Sequence, residues 1–300
     1  MRLAAAARRT GELCPLCDGT LRADGDFEVD GNRYVPCPAC HAHVATPAPD
    51  QRDLEAFYRG EYYGVFGAAE AGPRRQAMLR RLLSRIPRRP PGRLLDVGCG
   101  AGHLMALARA AGWEVVGVEP SRQACAAARA RYGLEPLAAP LEEADLPQAS
   151  FDVVTLVNVL DQAPDPVRLL AEARRVLGPE GLLVIRVPNG DFHRAAWAAI
   201  RRCPAGAAWR LRPLVIFHPL CLNARALRAL LARAGLGRIR VGNAPVSGSE
   251  WSVAPGAAGR AALACLAALA RAGAAAAAGL SGGQVLCAPS LLATAHREGP

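Results

Sequence analysis

Leu94-Leu95-Asp96-Val97-Gly98-Cys99-Gly100-Ala101-Gly102 decides the fold. An apolar strand, Leu94 to Val97, runs into three glycines spaced by single residues, and a helical pattern begins at Leu104. Glycines at such a junction let the backbone turn sharply and let a ligand approach main-chain N–H groups at the positive end of a helix. The next strand, Glu114 to Val118, is closed by Glu119, where neighbouring parallel strands end together and a carboxylate can meet a ribose diol. A dinucleotide is the obvious rival ligand. Its Gly-x-Gly-x-x-Gly pattern fails here, because residue 103 is His and the third glycine comes one place early at Gly102. Asp96, two residues before the loop, suits a cation better than a pyrophosphate. The implied cofactor is therefore positively charged and free of phosphate.

Outward from this loop, strands and helices alternate. A helix over Leu104 to Ala111, the strand Glu114 to Val118 and a helix over Ser121 to Arg131 precede a second set. That set is the strand Phe151 to Val157, the helix Asp165 to Leu177 and the strand Leu182 to Val187. The alternation implies a parallel sheet with helices on both faces. Before the loop, Asp53 to Tyr63 and Arg74 to Ile86 read as helices, the second stopped by Pro87, Pro90 and Pro91. Beyond it, Asn223 caps a helix running to Ala234, followed by strands Gly237 to Val241 and Ser290 to His296. Gly256 to Gly279 reads as an alanine-rich helix with Arg260 and Arg271 on one side and Leu263, Leu266 and Leu269 on the other. It reads as a packed surface helix rather than a membrane or lipid contact. The uncharged stretch from Ala272 to His296 is broken by four glycines and Pro289, so no transmembrane segment is expected.

With 300 residues, 51% of them hydrophobic and 21% charged, the chain can bury one large core and carry a small appendage, which excludes a disordered tail protein. All 36 basic residues are arginines, so lysine Schiff-base chemistry and a Walker-type phosphate loop are excluded. A net charge of +10 raises nucleic acid or an anionic membrane as partners. The arginines are spread, however, with groups only at 74–89 and 201–212, and read as a global bias rather than a binding stripe. The start, MRLAAAARRT, carries no export pattern, so a cytoplasmic location is expected. In that reducing compartment the ten cysteines read as metal ligands or buried small hydrophobes.

Cys14, Cys17, Cys37 and Cys40 form two Cys-x-x-Cys pairs separated by nineteen residues, the spacing of two knuckles that offer four thiolates to one tetrahedral ion. Asp24-Gly25 and Asp30-Gly31 supply turns between short strands that contain Phe27, Val29, Tyr34 and Val35. The unit reads as a zinc ribbon with a structural metal, since four cysteines close the coordination shell. His41 and His43 are fallback ligands. The prolines of Thr46-Pro47-Ala48-Pro49-Asp50 mark a linker. The expected organisation is a ribbon over 1–50, a helical linker or lid over 51–92 and a main domain over 93–300.

The chain resembles the class I S-adenosylmethionine-dependent methyltransferases. The matching pieces are LLDVGCGAG at 94–102, VVGVEPS at 115–121, LPQASFDVVTLVNVL at 146–160, DPVRLLAEARRVLGPEGLLVIRVPN at 165–189 and NARALRALLARAGL at 223–236. The ribbon followed by Ala56-Phe57-Tyr58 and Glu61-Tyr62-Tyr63-Gly64 is similar to a subgroup in which a zinc ribbon and a Tyr-rich segment precede the methyltransferase core. The resemblance implies a Rossmann-like α/β fold whose seven-stranded sheet is mostly parallel, with S-adenosylmethionine as cofactor. It implies that Gly98, Gly100 and Gly102 line the methionine part and that Asp96 lies near the amino group, directly or through water. Glu119 would hold the ribose hydroxyls, Leu141 would meet the adenine through its backbone, and Asn158 would face the methionyl end. Two departures stand out. Pro140 occupies the place where relatives often carry an acid for the adenine amino group, and Leu160-Asp161-Gln162 stands where they often read Leu-Glu-His.

Asp161, His193 and His218 are the candidate bases for an acceptor that must lose a proton, and Tyr58, Tyr62 and Tyr63 the candidate lid. The expected activity is methyl transfer to a small molecule, such as a sugar or a lipid-linked metabolite. A ribosomal RNA base methyltransferase and a non-catalytic scaffold using the ribbon for docking are the alternatives.

Overall fold

The turn Asp30-Gly31, both residues at positive φ (+52° and +79°), joins strand β1 (Phe27–Val29) to β2 (Asn32–Pro36) in a two-residue hairpin, and β3 (His43–Thr46) pairs antiparallel with β2. These coordinates are a computed structural model that describes residues 13–49, 51–61, 63–64, 72–86, 92–245, 273 and 286–298. The expected alanine-rich helix at 256–279 lies outside the described residues apart from Gly273, and so do Tyr62 and the prolines at 87, 90 and 91. Helix α1 spans Gln51–Gly60, and α2 spans Pro73–Leu83, with Pro73 in its first turn and Met78, Leu79 and Leu82 buried.

The main sheet follows the expected alternation. Strand β4 (Arg93–Val97) leads to α3 (His103–Ala110), β5 (Glu114–Val118) to α4 (Arg122–Tyr132), and β6 (Phe151–Val157) to α5 (Pro166–Val176). Then come β7 (Leu177–Pro188), α6 (Gly190–Ile200), α7 (Ala205–Leu211), β8 (Leu220–Cys221), α8 (Ala224–Arg233), β9 (Leu236–Asn243) and β10 (Ser290–Arg297). Local chemistry sets several ends. The side chains of Ser121, Asp165 and Asn223 accept hydrogen bonds from the N–H groups of Ala124, Arg168 and Ala226, three residues into α4, α5 and α8. Gly133, at φ +59°, closes α4 in the left-handed conformation.

The strands order as β5-β4-β6-β7-β10-β9, parallel between β5, β4, β6 and β7, with β10 antiparallel to both neighbours. Among the described residues the sheet has six strands where seven are expected. At the β5 edge a seventh is cut to one parallel bridge, Val118 with Leu137, because the next inward N–H, that of Ala139, turns back onto the Leu137 carbonyl instead of reaching β5. Register aligns the strand ends: Val97 pairs with Val118 on one side and Leu156 on the other, which sets Gly98, Glu119 and Asn158 along one edge.

The ribbon is separate in sequence but not in packing. β8 leaves the main domain to pair antiparallel with β3, Val44 opposite Leu220 and His43 opposite Cys221. Cys14, Leu16, Cys37, Cys40 and Val44 fall in the same buried apolar cluster as Leu222, Leu227 and the central strands. The Trp197 indole N–H donates to the Glu28 carbonyl at 2.8 Å, and the Asn223 amide to the His41 carbonyl at 3.1 Å. Arg212 and Arg233 pair with Asp30 and Asp18 across the same junction.

One shared core implies one cooperative unit. Urea unfolding followed by circular dichroism and by reactivity of the ribbon thiols is expected to give coincident midpoints. Two separated transitions would mean that the ribbon folds on its own.

Candidate functional site

The glycine loop is held in a conformation that side chains resist. Gly98, Gly100 and Gly102 sit at φ +64°, +53° and +75°, and a Cβ on Gly98 would lie 2.6 Å from Val159 Cγ2. The loop is anchored to the end of β5. Gly98 N–H donates to the Val118 carbonyl at 2.9 Å, and Glu119 accepts from Gly100 N–H and from Ser121 N–H, each at 2.9 Å. Glu119 is thus a buried carboxylate that ties the loop to the next crossover while lining the cleft in front of it.

That cleft, of about 200 Å³, lies at the carboxyl edge of the sheet. The structure brings Gly98, Gly100, Glu119, Leu141 and Asn158 together on its wall, while Gly102 turns beneath it at the start of α3. Asp96 lies beside this wall rather than on it. It lines an adjoining cavity of about 20 Å³ with His103 and Gly98, room for about one water, and accepts a 2.7 Å hydrogen bond from Thr155. Leu141 opens a 3₁₀ turn (Leu141–Glu143), and Glu142 beside it, its carboxyl pushed upward by burial, faces the cleft just past Pro140.

Asn158 ends β6 at φ +60° and is held from three directions. Its N–H donates to the Arg186 carbonyl at 2.7 Å, its Oδ1 accepts from Arg186 Nη1 at 2.5 Å, and its carbonyl accepts from Gln162 Nε2 at 2.7 Å. The Tyr58 hydroxyl in turn donates to Gln162 Oε1 at 2.7 Å, and Arg59 reaches both oxygens of Glu143 at 3.1 Å. Helix α1 therefore closes one side of the cleft, with Tyr63 also on the wall. Sequence reasoning missed Gln162, Glu142 and the Arg59–Glu143 pair, because each acts through a partner distant in the chain.

The three candidate bases separate. His193 is 1% exposed; Nε2 lies 2.9 Å from the carbonyl of Pro289, just before β10, and Nδ1 accepts from the N–H of Ile216 in the loop before β8, so the ring ties α6 to both segments. Asp161 and His218, 57 residues apart, meet as a pair through Asp161 Oδ2 and His218 Nδ1. Neither lines the main cleft, but Asp161 sits in the 3₁₀ turn Leu160–Gln162, between Val159 and Gln162, which do.

The four cysteine sulfurs lie within 4.8 Å of one another. Both knuckles are the same device: Cys14 and Cys37 accept at their carbonyls from Asp18 and His41 N–H, and Asp18 and His41 sit at φ +58° and +65°. The Cys14 and Cys40 sulfurs lie 3.6 Å apart and those of Cys17 and Cys37 3.5 Å apart. Four convergent soft donors suit a tetrahedral zinc ion, and His41 and His43 are not in the cluster.

A family model described as a methyltransferase domain matches residues 72–239. A probable S-adenosylmethionine-dependent methyltransferase of Mycobacterium tuberculosis is 34% identical over 163 residues, 54% of each chain. A ubiquinone biosynthesis O-methyltransferase of Bradyrhizobium is 34% identical over 125 residues, 40% of this chain and 47% of that one. The chain thus spans about half the length of these curated relatives. Burkholderia thailandensis 1,6-didemethyltoxoflavin-N1-methyltransferase, solved with 1,6-didemethyltoxoflavin and S-adenosylhomocysteine, shares the fold with a TM-score of 0.50 at 16% identity, covering 91% of this chain and 99% of that one.

His103, under the glycine loop, sets one pH dependence. Burial first, then Arg131 and Arg75, lowers its pKa to about 4. The unfolded chain binds a proton there below about 6.5 and the folded chain does not, so stability is lost as pH falls from about 6.5 towards 4. Melting temperature measured across that window is expected to fall less steeply in His103→Gln than in the wild type. Equal slopes would refute the assignment.

Proposed function

Because the chain belongs to the class I S-adenosylmethionine-dependent methyltransferases, we propose that it methylates a small molecule bound in the cleft at the carboxyl edge of its sheet. The observation that carries this reading is the convergence of Gly98, Gly100, Glu119 and Asn158 on one wall, with α1 closing the side. In this reading Glu119 holds the ribose hydroxyls, the Leu141 backbone meets the adenine and the loop glycines admit the methionine part. Asp96 orders a water near the amino group, and Asn158, fixed by Arg186 and Gln162, borders the methionyl end. Bound S-adenosylmethionine supplies a sulfonium methyl group that an acceptor lone pair displaces in line. The chain's part is to hold acceptor and cofactor in a dry, preorganised site.

A small acceptor is favoured over a macromolecule by the narrowing that Tyr58 and Arg59 impose on the cleft. The names of the Bradyrhizobium and Burkholderia relatives point the same way. Nucleic acid is disfavoured because arginines on and beside the ribbon are paired with its carboxylates: Arg33 with Asp26, Arg212 with Asp30 and Arg233 with Asp18. The four cysteines are assigned to one structural zinc ion, whose closed thiolate shell leaves no position for a substrate or water.

Calorimetric titration of S-adenosylmethionine into the folded protein is expected to give one site. Glu119→Ala should weaken it at least tenfold, and Gly98→Ala should abolish it because the new methyl collides with Val159. NAD should not bind. A folded wild-type protein that binds no S-adenosylmethionine would overturn the reading. Elemental analysis should find about one zinc per chain, lost in Cys37→Ser.

A further inference from the structure

Helix α2 gives its apolar side to the core and turns arginines to solvent. Met78, Leu79 and Leu82 join Leu104 and Ala108 of α3 in one buried cluster, while Arg74, Arg80 and Arg81, and Arg85 in the turn that follows, are exposed. The eleven residues of α2 include four arginines and no acid. Arg74 and Arg81, seven residues apart, fall on the same side of the helix about two turns from each other. Local energetics oppose this arrangement. Arg74 and Arg75 in the first turn meet the positive end of the helix, and Arg81 and Arg85, four residues apart, repel. Elsewhere exposed arginines find carboxylates: Arg93 pairs with Glu114, Arg129 with Glu135 and Arg238 with Glu180. Among the described residues Arg80, Arg81 and Arg85 make no ion pair, and Arg85 donates to the Asn243 carbonyl at 3.0 Å. The arginines that read as a global bias in the sequence are therefore left without a carboxylate at one place, and that place is a single helix face.

We propose that this face of α2 docks on an anionic lipid bilayer and sets the cleft beside the headgroups. Arg75, next to Arg74 on the helix, lines the cleft, so the docked face adjoins its mouth. The docking needs no bound cofactor and does not rest on the methyltransferase reading.

Three features select this occupant over a nucleic acid or an apolar partner. First, the opposite side of α2 is buried along the helix, so the arginines form a ridge that can lie on a flat charged surface but is not free to enter a groove. Second, α2 carries no aromatic side chain on which an unpaired base could stack. Third, its large apolar residues Met78, Leu79 and Leu82 are all buried, so the contact stays at headgroup depth and is electrostatic rather than inserted.

Co-sedimentation with vesicles tests this on the full-length, zinc-loaded protein. The wild type should bind phosphatidylcholine vesicles containing about one-third phosphatidylglycerol but not pure phosphatidylcholine, and should be released as salt rises to about 0.5 M. Arg80→Gln, Arg81→Gln and Arg85→Gln together should weaken binding about 100-fold, roughly fivefold per guanidinium. The same loss of charge spread over the exposed Arg22, Arg122 and Arg225, each changed to Gln, should cost less than about threefold, because charges scattered over the surface do not meet the bilayer together. Melting temperature and S-adenosylmethionine affinity should stay at wild-type values in both triple variants, since none of the six arginines lines the cleft. No vesicle binding by the wild type, equal losses in the two triple variants, or capture of an RNA duplex in place of anionic vesicles would overturn the proposal. Vesicle binding by a protein that binds no S-adenosylmethionine would instead overturn the methyltransferase reading alone.

Discussion

The structure depends on how the chain leaves β4. Three glycines at positive φ carry the backbone from a buried strand into α3, and Glu119 fastens that loop to the end of β5 through two main-chain N–H groups. A Cβ at the first of them would run into Val159, two residues past the end of β6. One short loop therefore sets the spacing of three strand ends, and the cleft is the space left between them. Burial of the Glu119 carboxylate is tolerated because it is hydrogen-bonded on both oxygens.

A second constraint comes from size. A unit of about forty residues buries too little apolar surface to be stable unaided. This ribbon gains support by joining its cysteine end to the main apolar cluster and by taking β8 as a fourth strand. The same arrangement makes the ribbon a wall for the loop at 217–221, whose Phe217 ring and backbone are clamped by β1, β2 and β3. The four-cysteine cluster, the docked ribbon and the Asp161–His218 pair then form one connected set of contacts.

The readable parts of the sequence were those whose constraint is local. The glycine loop, the two cysteine knuckles, the Asp30-Gly31 hairpin and the Asn223 cap each declare themselves within a few residues, and each is found in the structure. What could not be read depends on partners far apart in the chain: Tyr58 with Gln162, Arg186 with Asn158, Asp161 with His218, β3 with β8. His193 illustrates the difference, since nothing near it in sequence reveals that Pro289 and Ile216 occupy both its nitrogens. Among the described residues the expected seventh strand is one bridge long, since the Ala139 N–H turns back onto the Leu137 carbonyl, a local turn that no pattern of residues announces.

One cleft, framed by Gly98, Glu119, Leu141 and Asn158, is proposed to hold the cofactor, with the acceptor entering beside α1. A crystal structure of the zinc-loaded protein with S-adenosylhomocysteine tests it most directly. The account predicts ribose hydroxyls on the Glu119 carboxylate, the adenine against Leu141, and the thioether sulfur turned towards the Asn158 end of β6. A nucleoside bound elsewhere, or bound here with Glu119 out of reach of the ribose, would contradict it.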